Sequence, residues 1–172
     1  MDLLSLIETN SFSSIWFWIL VAISWSSGSH WILGVPFDLV QRARKVGGVA
    51  EERIHTLLRI NASRLENIQR IAGFVLTGIV SFFLTGFAIL GFVYWIEFFQ
   101  ALFLLTFPWV FVGTITVNTV RNLDEELPTG EDLYKMFWRL RLAIQGIGLV
   151  SIFITSIWGM YSIIRVSSFP AM

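Results

Sequence analysis

The residues with most chemical character sit in one short run, Ser24, Trp25, Ser26, Ser27, Gly28, Ser29, His30 and Trp31. His30 is the one ionisable side chain clearly inside an apolar stretch, and an ionisable group within a bilayer invites a functional reading. An imidazole there could ligate a metal, a haem iron or the magnesium of a chlorophyll-type pigment, or relay a proton. A bis-histidine haem needs a second imidazole, and the other histidine, His55, falls in a charged segment. The plainer reading is a hydrated histidine near the end of a span, bonded to a serine.

Two periodic sets of small residues form the second candidate. Gly73, Thr77, Ser81 and Thr85 recur every fourth residue, and Gly148, Ser151, Thr155, Gly159 and Ser162 recur every third or fourth. Small side chains let helices approach closely, and hydroxyls can bond across the contact. Packing within a bundle is the expected role; a polar path or a face for a partner helix is the alternative. Glu97 reads as a turn residue in water, and Pro108 as a kink that frees the carbonyl of Leu104.

What is missing narrows the function. No pair of carboxylates lies in an apolar stretch, as a cation-coupled carrier often needs. There is no GxSxG, HExxH or P-loop pattern. Without cysteine there is no disulfide, thiolate metal site or cysteine nucleophile, and two histidines are too few for an ordinary zinc site. Twelve basic residues balance twelve acidic ones, so nothing recommends nucleic acid as a partner. No cofactor is expected, and catalysis is not.

These residues must be positioned by membrane helices. The 172 residues are 55% hydrophobic, 16% aromatic and only 14% charged, against about 25% charged in a soluble domain. Four stretches are apolar and long enough to span: 12–35, 71–96, 98–120 and 142–164. Each must be helical in lipid, where nothing else satisfies the backbone. The first is read as a retained helix and not a signal peptide, because Asp2 and Glu8 precede it without any Lys or Arg.

Eleven of the twelve basic residues lie between spans one and two or between spans three and four; only Arg165 does not. The positive-inside bias puts those loops in the cytoplasm and both termini outside. Trp16, Trp18, Tyr94, Trp95, Trp158 and Tyr161 then fall at the outer interface, and Trp31, Tyr134 and Trp138 at the inner one. Trp25 and Trp109 fall mid-span and read as packing residues.

The loops are expected to be helical in part. Ile54, Leu57, Leu58, Leu65, Ile68 and Ala72 repeat at helical spacing over 50–70, and Glu66 with Arg70 makes an i,i+4 pair. No proline separates this segment from the second span, so one helix of about 47 residues and roughly 70 Å is expected, with Gly73 the place for a bend. A second helix start lies near 130, where Thr129 and Asp132 resemble a capping box, followed by Leu133, Met136, Phe137, Leu140 and Ile144. The two amphipathic stripes are expected to lean on each other. Gln41 to Val49, basic and then glycine-rich, reads as a turn near anionic headgroups.

Two segments carry a resemblance: SSGSHWILGVPFDLVQRAR at Ser26–Arg44 and SIFITSIWGMY at Ser151–Tyr161. They resemble a small family of integral membrane proteins from alphaproteobacteria related to Rhodobacter and Roseobacter, whose members are often labelled a component of the SufBCD iron–sulfur assembly complex. The resemblance runs over nearly the whole chain. It implies a membrane dock for cytoplasmic SUF proteins, contacted through 37–70 and 121–141, and it brings no catalytic residues.

The sequence therefore predicts an all-α, polytopic membrane protein of one domain. It has four transmembrane helices, N-out and C-out, in a cell inner membrane, with helices 2 and 4 extended into the cytoplasm. Its expected role is a non-enzymatic accessory, assembly or scaffold subunit. Partners are the lipid bilayer and other membrane or cytoplasmic subunits, and the chain could form a homo-oligomer. Arg42, Arg44, Lys45, Arg59 and Arg64 are the expected contacts with a partner or lipid. The alternatives are a small oligomeric transporter or channel, and a pigment- or haem-binding subunit using His30.

Overall fold

Among the described residues three helices are long and apolar enough to cross a membrane, and they determine the architecture of this all-α chain. In a computed structural model the structure describes residues 11–123 and 127–168. Asp2 and Glu8 lie outside the described residues. After a 3-10 turn at Ser11–Ser13 come helix α1 (Ile15–His30), strands β1 (Trp31–Ile32) and β2 (Val35–Pro36), and helix α2 (Phe37–Val46). Helix α3 (Val49–Ala88) continues into one π-helical turn at Ile89–Val93. Helices α4 (Glu97–Arg121) and α5 (Gly130–Ser168) complete the chain.

The stretch 12–35 is not one helix. Helix α1 has 16 residues, about 24 Å at 1.5 Å per residue, and ends at His30. A hairpin follows, pairing Trp31 with Pro36 and Ile32 with Val35. Its two-residue turn puts Leu33 at φ 53° and Gly34 at φ 72°, the doubly left-handed geometry that matches strand twist. Pro36 carries no N–H to continue a helix. Burial of Ile32 and Val35 in the core offsets the strain at Leu33.

Gly34 is required twice. Its φ is left-handed, and a Cβ there would lie 2.7 Å from the Asn61 amide nitrogen on α3. We expect Gly34→Ala to cost about 1–3 kcal/mol, the range for left-handed strain, before Asn61 moves. Thermal unfolding in mild detergent checks this; an unchanged midpoint would show that the hairpin does not brace α3.

Four other boundaries sharpen or change. The segments 50–70 and 71–96 do run as one helix through Gly73, as expected, but its α-helical part ends at Ala88. The irregularity comes at the π turn. There Gly91 is packed so tightly that a Cβ would meet the Gln100 backbone nitrogen at 2.8 Å. The turn expected at Glu97–Gln100 is the first turn of α4; the chain reverses at Tyr94–Ile96, with Trp95 at φ 58°. The expected span 98–120 appears as α4, with Pro108 inside it, and the expected helix start at 130–141 and span at 142–164 appear together as the unbroken α5.

The segment Gln41–Val46, expected as a turn, is helical. Phe37, Val40 and Ala43 fall on one face of α2 and are buried, while Gln41, Arg42, Arg44 and Lys45 are exposed. Asp38 suits the helix N-terminus and the two basic residues its C-terminus. Gly47 and Gly48, both at positive φ, then make the turn into α3.

The fully buried residues concentrate at the basic end. Ile32, Val35, Phe37, Val40, Ala43, Ile54, Leu58, Leu133, Phe137 and Leu140 pack into one core built from the hairpin, α2, and the first turns of α3 and α5. The stripes expected on α3 and α5 therefore share a core, but α2 and the hairpin fill much of the space between them. We call this region the head. In the most apolar window of α3 no residue is buried, as suits a surface turned to lipid, whereas α4 and α5 bury part of theirs.

Candidate functional site

The head is held by ties between charged groups. Glu51 on α3 reaches the start of α5, where its Oε1 accepts from the Gly130 amide at 2.7 Å and its Oε2 from the Tyr134 hydroxyl at 3.4 Å. A carboxylate at a helix N-terminus satisfies an orphan amide and opposes the helix dipole. Helix α5 thus begins where the sequence places it, with a carboxylate from another helix on the Gly130 amide. His55 Nε2 lies 3.8 Å from the same carboxylate. Arg44 donates to Glu131 at 3.3 Å and ties α2 to α5. Arg141 lies over the Phe37 ring, 3.9 Å from its centroid.

All five basic residues expected at a partner surface, Arg42, Arg44, Lys45, Arg59 and Arg64, are exposed, and Arg44 also bonds Glu131 there. Exposed Leu39, Val46 and Val49 lie among them. Over 37–70 the chain carries seven basic residues (Arg42, Arg44, Lys45, Arg53, Arg59, Arg64, Arg70) against four acidic ones (Asp38, Glu51, Glu52, Glu66), a surplus of three. The expected Glu66–Arg70 pair does not form among the described residues; each side chain is exposed, where such a pair contributes little.

His30 is the last residue of α1, at the start of the hairpin. Its Nδ1 lies 3.4 Å from Asp38 Oδ1, and both side chains are well exposed. The expected serine bond is replaced by this carboxylate, because the hairpin folds the start of α2 back onto the end of α1. Among the described residues no group of three or more His, Cys, Asp or Glu could hold a metal.

The two small-residue stripes separate. On α5, Gly148, Ser151, Thr155 and Gly159 are all buried. Trp25 covers Gly148, and a Cβ there would meet its ring at 2.7 Å; Phe12 covers Gly159, with a corresponding approach of 3.1 Å. Trp25 stacks on Trp109 with centroids 5.2 Å apart, and Gly28 admits the Trp109 ring edge, so both tryptophans pack as expected. The Trp25 Nε1 is buried without a partner among the described residues. On α3, by contrast, Thr77, Ser81 and Thr85 are exposed and Gly73 is half-buried. Thr77 bonds its own helix at the Gly73 carbonyl, so this stripe is not an intramolecular packing face.

The opposite end is closed by a polar node that the sequence reading missed. Gln100 is 2% exposed, yet its Nε2 donates to the Gly91 carbonyl at 2.8 Å and its Oε1 accepts from Trp158 Nε1 at 3.0 Å. Glu97 Oε1 accepts from the Phe12 amide at 2.8 Å, and Trp18 Nε1 donates to the Phe12 carbonyl. Arg165 lies 3.7 Å over Trp95. An amide side chain amid so many aromatics was the available signal, since buried polar groups need partners.

Comparison with protein-family models, with curated proteins and with solved structures returns no match.

Proposed function

We propose that the chain is a non-enzymatic accessory or scaffold subunit of an inner membrane, which presents its basic head to a partner protein on the cytoplasmic side. The observation that carries this reading is the distribution of packing. A buried core joins the hairpin, α2 and the first turns of α3 and α5, while no residue is buried in the most apolar window of α3. A membrane anchor alone does not need a rigid, three-helix platform outside its apolar segments. Rigid elements hold an interface in place without an ordering cost on binding.

Four crossings fit this reading, with α1 as the short one. Phe12 touches Glu97 and Gly159 at one end, while Ile32 and Val35 join the head at the other. The positive-inside bias supports placing the head in the cytoplasm. Its surplus of positive charge favours a partner with an acidic surface. The likeness to the SufBCD-labelled membrane family makes an iron–sulfur assembly complex one such partner. A transport path along both Ser/Thr stripes is less well supported, because Ser151 and Thr155 are buried against neighbouring helices.

Gentle extraction from native membranes, followed by sizing and mass spectrometry, tests the reading. A partner in fixed ratio with this chain is expected. Recovery of the chain alone, or only with itself, counts against it and turns attention to flux measurements on the oligomer.

A further inference from the structure

Between the diverging halves of α3 and α4 lies an open cleft of about 1190 Å³. It changes character along its length. Towards the far end Val80, Phe83, Phe87 and Val110 line it, and towards the head Asn61, Gln69, Asn118 and Arg121 do. At the head end it joins a smaller hollow lined by Glu66, Gln69, Arg70 and Arg121. From Arg121 to Thr106 along α4 the cleft runs about 22 Å, at 1.5 Å per residue. One leaflet's hydrocarbon is about 15 Å deep, half of a 30 Å core, which leaves room for a headgroup.

We propose that this cleft holds an anionic phospholipid, its phosphate between Arg70 and Arg121 and its acyl chains along the apolar wall. Three observations support this occupant over a helix. The first is the gradient itself: a phospholipid is apolar along most of its length and anionic at one end, as the cleft requires. The second is charge. Among the described residues Arg70 and Arg121 have no ion-pair partner, and Glu66 is the one carboxylate against them at the hollow. An apolar partner helix would supply no counter-charge to either guanidinium, whereas basic pockets at the inner ends of spanning helices suit anionic headgroups. The third is the α3 stripe. Thr77 and Ser81 line the cleft, and small side chains there make room for acyl chains. The site shares Arg70 with the basic segment 37–70, but Arg42, Lys45, Arg59 and Arg64, the exposed contacts proposed for the partner, do not line it.

The test uses the full chain purified in mild detergent and then exchanged into mixed micelles. Thermal unfolding is followed with added phosphatidylglycerol, phosphatidylcholine or inorganic phosphate, and retained lipid is quantified by mass spectrometry. Phosphatidylglycerol is expected to raise the midpoint, phosphatidylcholine and inorganic phosphate are not, and phosphatidylglycerol should be retained. The double variant Arg70→Gln/Arg121→Gln should weaken retention at least about tenfold, since each lost charge-assisted bond is worth about 1.5–3 kcal/mol, while Arg139→Gln should not. Equal shifts with phosphatidylcholine, a shift with inorganic phosphate alone, or unchanged retention in the double variant each overturn the proposal. So does a second copy of the chain cross-linking through the cleft at Val110→Cys.

Discussion

Phe137→Ala is expected to loosen the head and to lower stability by about 3–5 kcal/mol, the usual cost of emptying a buried phenylalanine site. Phe137 is fully buried where α2, the hairpin and the first turns of α3 and α5 converge. No flexible surface side chain is placed to fill the space, since its neighbours in that core, Leu133, Ile54 and Leu58, are themselves fully buried. The check is thermal unfolding in detergent, together with limited proteolysis at the exposed turn through Gly48. A large fall with faster cleavage at that turn is the expected outcome. A loss below about 1 kcal/mol would mean that the head is not the stable core of the chain. The same variant should also lose the partner, because the exposed arginines are held only as firmly as the helices beneath them.

Gly148→Leu should separate α1 from α5. The ring of Trp25 leaves no space for even a Cβ at this position, so a leucine must displace the tryptophan and its stack on Trp109. Overpacking of this kind costs about 1–3 kcal/mol, and the tryptophan fluorescence should change with it. Gly78→Leu is the matched control. Nothing lies within 4 Å of a Cβ there, and α3 is exposed around it, so a change within about 0.5 kcal/mol is expected. Equal losses in the two variants would mean that the Trp25 contact does not govern the Gly148 position.

This pair of glycines also shows where sequence reasoning reaches its limit. Both stripes have the same spacing of small residues, which says that a close approach is possible. It does not say which neighbour arrives. The Gly148 stripe meets Trp25 and Phe12, whereas the Gly73 stripe faces an open cleft. Long apolar segments were legible almost to the residue, as in α4, because a bilayer leaves the backbone no other solution. The hairpin was not, because Leu-Gly lacks the asparagine or aspartate that announces such a turn. Its only local hints were Gly34 and Pro36. Helix α2 was hidden for another reason: the basic run and the two glycines after it obscured the buried positions Phe37, Val40 and Ala43.

His30 illustrates the same limit in chemistry. Its place in an uncharged run made it read as intramembrane, but the hairpin moves it to a helix end beside Asp38. Arg44 stays at the surface as expected, but its charge is partly taken up by Glu131 across α2 and α5. Composition located the basic side of the protein; only the fold says which of its charges remain free.

The central claim is that the head meets a protein partner, and site-specific photocrosslinking in native membranes tests it most directly. A photoreactive amino acid is placed in turn at Arg42, Lys45 and Arg59, and at Phe82, which the structure exposes on the membrane part of α3. The head positions should give one common protein adduct, distinct from a dimer of this chain, and Phe82 should not. Lipid-only or self-only adducts from all three head positions would contradict the account.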